Sequence, residues 1–228
     1  MSRKWKKFGE LTGKCYMSLA GLEKSRNCWD EAFEALKEAV AAERKEEPEY
    51  AAELYELDEE TDYEYDVQGW LEDYLDDLDM RESKEKLLEV CDELIGLFRW
   101  EEERPSDIRF LKASALRDLG RAEEAAAFCE KWLAQEPDDY VAVAAGIYAF
   151  LETRNMEAAE GLIRQHIHED TKCTDENDIL FTAAAIYYKA AGKKEEEERV
   201  QKELDAYEEE LEALFDGFGG EDDELEFF

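Results

Sequence analysis

The stretch "SDIRFLKASALRDLGRAEEAAAFCEKWLAQEPDD", residues 106–139, constrains the fold more than any other feature of the chain. Ile108, Leu111, Ala115 and Leu119 lie three or four apart. Beyond Gly120 a second series runs Ala125, Phe128 and Trp132, with Cys129 and Leu133 beside it. This is the spacing of two amphipathic helices, each with an apolar stripe that must be covered. Ser106 is placed to cap the first helix, Gly120 to end it in the left-handed conformation, and Pro137 to stop the second. Two short helices facing each other are expected.

The layout recurs along the chain. Residues 140–171 give Val143, Gly146, Ile147 and Phe150, then a polar turn at Arg154 and Asn155, then Ala159 and Ile163; Ala159 falls 34 positions after Ala125. Residues 178–205 give Phe181, Ala184, Ala185 and Tyr188, a turn at Gly192, then Val200 and Leu204. Upstream, Leu71, Tyr74, Leu75 and Leu78 are followed by the polar turn "MRES", with Ser83 as a cap, and then by Leu87, Cys91 and Leu94. Earlier still, Tyr16, Leu19 and Ala20 precede "RNCWDEAFEALKEAV", whose stripe is Trp29, Ala32, Phe33, Leu36, Ala39 and Val40. Ala, Leu and Glu outnumber Val and Ile, and there are only 3 prolines, so the fold class is all-α.

Over roughly residues 13–205 the pattern resembles the tetratricopeptide repeat, a helix–turn–helix unit stacked into an array. The match is best at 106–171. There Ala113, Leu116, Gly120, Ala125, Cys129 and Pro137 fill the slots of the motif, while Arg109 and Lys112 stand where apolar residues are usual. The resemblance implies an α-α superhelix, a right-handed solenoid of about five antiparallel helix pairs, in one domain over 1–215. A charged helix around 193–215 is suited to cap it, with Val200, Leu204, Tyr207, Leu211 and Leu214 as its stripe. Two segments stand outside the repeats. Residues 44–67 form an acidic insertion between the first and second pairs, carrying Tyr50, Tyr55, Tyr63 and Tyr65, and residues 216–228 read as a flexible acidic tail.

The charge bounds the partners. Asp and Glu number 63 against 28 Lys and Arg, a net charge of −35 at pH 7, which repels nucleic-acid phosphates and anionic lipid. Neither nucleic acid nor membrane is expected as a partner. The 5 cysteines, Cys15, Cys28, Cys91, Cys129 and Cys173, are scattered and never paired as CxxC, so no disulfide framework or zinc ribbon is indicated. After the basic "SRKWKKF" the apolar residues are interrupted by Glu10, Lys14 and Glu23, leaving no signal-peptide core. A cytoplasmic location is expected.

No motif for a catalytic nucleophile, zinc protease, phosphate-binding loop or dinucleotide fold occurs. The 2 histidines, His166 and His168, lie two apart and would point different ways from a helix, so with Cys173 they make a poor metal site; they read instead as the end of a helix. Runs such as "DYLDDLD" lack the spacing of a calcium loop. Cys129 and Cys91 read as small core hydrophobes, and Trp29, Trp70, Trp132 and Phe150 as packing residues. Trp100 stands at a helix end. No metal and no cofactor are expected, and the chain reads as no enzyme.

The resemblance implies that ligands lie along the surface formed by the first helix of each pair. That places Glu72, Asp73, Asp76, Arg117, Tyr148, Leu151, Ile186 and Lys189 toward a groove that is acidic in the second pair and apolar in the fourth, where "VAVAAGIYAFL" is hydrophobic nearly all round. Such a groove suits a basic or amphipathic peptide segment of a partner protein. Two other readings are an acidic mimic of nucleic acid occupying a basic protein cleft, and a regulatory part of an enzyme.

Overall fold

Eleven helices supply the regular structure of residues 3–22 and 28–218, the part that the computed structural model describes, with side chains as far as Leu214. No strand occurs among the described residues, so the all-α expectation holds. The helices are α1 (Arg3–Leu19), α2 (Cys28–Glu43), the short α3 (Glu56–Glu60), α4 (Val67–Met80), α5 (Lys84–Leu97) and α6 (Ser106–Asp118). They continue with α7 (Ala122–Gln135), α8 (Tyr140–Glu152), α9 (Met156–His166), α10 (Asp178–Ala191) and α11 (Lys194–Phe218). Of the tail expected at 216–228, residues 219–228 lie outside the described residues.

The first helix of every expected pair ends in the same way. After α1, α4, α6, α8 and α10 the chain turns left-handed at Gly21 (φ 71°), Glu82 (φ 55°), Gly120 (φ 71°), Arg154 (φ 59°) and Gly192 (φ 69°). The next residue then donates its N–H to the carbonyl five positions back. These bonds are Leu22 to Met17 at 2.9 Å, Ser83 to Leu78 at 3.0 Å, Arg121 to Leu116 at 2.9 Å, Asn155 to Phe150 at 2.8 Å and Lys193 to Tyr188 at 3.0 Å. This is the Schellman closure, which satisfies carbonyls that a helix end leaves without partners. Gly120 and Gly192 thus do what their sequence positions predict. Glu82 and Arg154 adopt the same backbone with a Cβ, at a cost of roughly 1 kcal/mol or more each.

The caps differ in detail from expectation. Ser83 occupies the N-cap position of α5 but makes no capping bond with its side chain, and Ser106 is the first residue of α6 rather than its cap. Asp66, Asp139 and Asn155 cap α4, α8 and α9 through their side chains.

The chain divides into two compact units, 1–108 and 109–228, with the division falling inside α6. In the first, α1 packs on α2 and α4 on α5. Its centre is a run of rings from α1, α2 and α4: Phe8 meets Trp70 edge-on at 5.1 Å, Trp70 stacks with Trp29 at 5.8 Å and with Tyr74 at 5.4 Å, and Phe33 lies 5.5 Å from Tyr74. In the second unit α8 is the hub, packed against α7, α9 and α10, and α11 covers α10. Burial of Ala142, Val143, Ala144, Ala145, Ile147, Ala149 and Phe150 accounts for a helix that is apolar nearly all round. Arg109 and Lys112 explain their own presence at apolar slots: Arg109 lies 5.6 Å from the Trp132 ring and pairs with Glu136 at 2.6 Å, and Lys112 lies 4.8 Å from the Phe128 ring.

Two expected stripes are corrected. On α1 the buried row is Trp5, Phe8, Leu11 and Cys15, whereas Tyr16 and Leu19 are 41% and 62% exposed. Lysines flank Trp5 and Phe8 and mask this row in the sequence. On α11, Val200 and Leu204 are buried, Tyr207 and Leu211 half-buried, and Leu214 is 61% exposed; the stripe outlasts the helix that covers it.

The acidic insertion is built into the first unit. Arg44 donates from Nε to the Tyr50 carbonyl at 2.9 Å, from Nη1 to the Leu97 carbonyl at 2.7 Å, and from Nη2 to the carbonyl of Ala51. Asp58, 7% exposed, accepts from the Val67 N–H at 2.6 Å and so adds a second carboxylate to the start of α4. Glu53 accepts from the Glu101 N–H at 2.9 Å. Two carboxylates of the acidic insertion are thus partners for backbone donors.

Candidate functional site

Between α1 and the start of α4 the first unit has an open groove of about 590 Å³. Its α1 wall is the row Gly9, Gly13, Tyr16, spaced four and three apart, so all three lie on one face. A Cβ at Gly9 would run into Cε1 of Tyr65, which stacks on Trp5 at 5.8 Å; glycine is required there for the ring to lie against the helix. At Gly13 a Cβ would meet nothing within 4 Å. That position is a notch in the wall.

The opposite wall comes from Glu64 and Asp66, just before α4, and Phe8 and Trp70 also line the groove. Tyr16 ties the walls together, its hydroxyl donating to Asp73 at 2.8 Å while its ring meets Trp29 edge-on at 5.8 Å. Burial and the adjacent Asp73 carboxylate push the Tyr16 hydroxyl above its ordinary range, so it stays a donor. Lys6 is the one cation among the groove's lining residues, against Glu10, Glu64 and Asp66.

Of the eight residues singled out in sequence, Glu72, Asp73 and Asp76 lie in the first unit, all exposed on α4. Asp73 reaches the groove through Tyr16. The other five lie in the second unit. Arg117 and Tyr148 are brought together, the guanidinium 5.1 Å from the ring centre, and Arg117 also pairs with Glu152 at 2.9 Å. Leu151 follows Tyr148 by three positions on α8 and is half-buried, while Ile186, 45% exposed, and Lys189 stand on α10. The Arg117 charge is therefore paired, beside the Tyr148 ring.

Sequence reasoning missed Gly9, Gly13, Tyr65 and Asp66. One signal was present: glycine inside a helix costs roughly 1 kcal/mol relative to alanine, and "GELTG" places two of them on one face.

The remaining reactive groups are accounted for by packing. All 5 cysteines are buried thiols. Burial pushes the Cys129 thiol up to about 12, as befits a core residue. Burial also raises the Asp77 carboxyl, but Arg81 pairs with it at 2.7 Å, and the neighbouring Asp30 accepts from Tyr74 at 2.8 Å, a network that ties α4 to α2. His166 closes α9 against the edge of Tyr140 at 6.0 Å. Among the described residues no group of three or more His, Cys, Asp and Glu side chains is placed to hold a metal ion, and no helix is long and apolar enough to cross a membrane. Compared with protein-family models, curated proteins and solved structures, the chain matches none.

Proposed function

We propose that this protein is a non-enzymatic interaction module, a cytoplasmic scaffold or adaptor that takes a basic or amphipathic segment of a partner protein. The observation that carries the reading is an open groove lined by rings and by Glu10, Glu64 and Asp66, bordered through Tyr16 by Asp73, which with Glu72 and Asp76 makes α4 an exposed acidic helix in the same unit. Carboxylates steer a basic segment to the surface, and ring contacts hold it. The tetratricopeptide-like array, a right-handed superhelix of five helix pairs, is part of this proposal. Five identical helix ends and the packing of α8 on both α9 and α10 support it. In such an array the first helices share one face, which is where a peptide lies.

The test is titration calorimetry of the full chain with a basic amphipathic peptide and with a sequence-matched acidic one, in about 50 and 500 mM salt. The basic peptide is expected to bind in micromolar range at low salt and at least tenfold more weakly at high salt. Failure of the basic peptide to bind at low salt, or equal affinity for the acidic one, would remove the basis of the proposal.

A further inference from the structure

We infer that the α1–α4 groove is a seat for an arginine side chain of the partner segment, with Gly13 as the opening that admits it. This rests on the reading of the protein as a module for basic segments and names where, and by which group, the segment is held.

The two walls differ in chemistry, and together they specify one kind of group. Asp66, the N-cap of α4, lines the groove, and Asp73, seven positions on and about 10 Å along the helix axis, borders it through the Tyr16 hydroxyl. Each has one oxygen engaged internally, Asp66 with the Gly69 N–H at 3.1 Å and Asp73 with the Tyr16 hydroxyl. A carboxylate has acceptor sites to spare beyond one such bond. The partly exposed rings of Tyr16 and Tyr65 line the same groove, as does Gly13, where an added Cβ would meet no atom within 4 Å.

An anion would be repelled by these carboxylates, and an apolar side chain would strip water from them with no bond in return. A guanidinium satisfies both walls at once, because its flat face lies on a ring while its edge donates to carboxylate oxygens. The long methylene stem packs over the floor. A lysine ammonium makes the same charge pair but cannot combine stacking with in-plane donation. The carboxylate spacing further matches a helical partner with two arginines seven residues apart.

The experiment uses the full chain and a synthetic helical peptide with two arginines seven residues apart and leucine and alanine between them, titrated by calorimetry in about 50 mM salt. Its counterparts carry lysine or glutamine in place of both arginines. Gly13→Leu is expected to weaken binding of the arginine peptide at least tenfold. Asp66→Asn, which keeps a capping oxygen, and Asp73→Asn are expected to weaken it three- to tenfold each. Glu209→Gln on α11, which removes a similar charge elsewhere, is expected to stay within twofold. The lysine peptide is expected to bind more weakly than the arginine peptide, and the glutamine peptide weakest. Circular dichroism melting of each variant keeps loss of fold apart from loss of binding; where Gly13→Leu melts early, Gly13→Ala together with Asp73→Asn decides. An arginine peptide that binds all groove variants as it binds the parent chain overturns this seat and leaves the interaction module standing. One that does not bind the parent chain overturns both.

Discussion

His166 ends α9 against the ring edge of Tyr140, and burial holds its imidazole below the ordinary histidine value. The folded chain therefore prefers the neutral ring. As pH falls through 6.5 toward the folded value, the unfolded chain takes up a proton first, so stability drops in that window, while above it the group contributes no pH dependence. Between pH 7.5 and 5.5, where carboxylates of ordinary pKa stay ionised, the parent chain should lose more thermal stability than His166→Gln. Equal pH slopes for the two would contradict the account. In sequence His166 read as a charge suited to a helix end; burial outweighs the dipole, and burial was not visible there. The same limit explains α1. Its buried row of Trp5, Phe8, Leu11 and Cys15 is broken up by lysines and glycines, and only the contact with the α4 rings reveals which face is covered.

At the scale of the element, the five helix ends are legible only in part. Gly120 and Gly192 announce their left-handed turns, whereas Glu82 and Arg154 hide the same turn behind ordinary side chains. Glu82→Gly and Arg154→Gly should each relieve left-handed strain and, after the entropy glycine adds to the unfolded chain, stabilise by about 0.5–1 kcal/mol. Gly120→Ala should destabilise by about 1 kcal/mol. Urea denaturation with an unchanged m-value measures all three, and no gain at either non-glycine turn would mean that the strain is relieved elsewhere. The 44–67 segment was the least legible. Asp58 caps a helix nine residues away and Arg44 bonds carbonyls as distant as Leu97, and no local pattern encodes such pairings.

For the whole molecule the net charge of −35 dominates. The ion pairs of its cations are largely exposed, such as Lys4 with Glu38 and Arg121 with Glu124, and pairs of that kind contribute little. Self-repulsion among the surplus carboxylates is the larger effect, so added salt should raise the thermal midpoint, by about 2–4 °C for each kcal/mol of repulsion relieved. A midpoint that falls between about 20 and 500 mM sodium chloride would show that the pairs outweigh the repulsion. Salt then acts on fold and on ligand in opposite senses. Ser83, Arg121 and Asn155 each close one helix and open the next, so the connections inside the α4–α5, α6–α7 and α8–α9 pairs have no residue to spare. Connections between pairs carry no such double duty, and they run over 44–66, 98–105, 136–139 and 167–177. In the α4–α5, α6–α7 and α8–α9 pairs length is thus fixed at the inner joint and free at the outer ones: new segments can be grafted between pairs, while a single insertion or deletion within one of these pairs undoes two helix ends together.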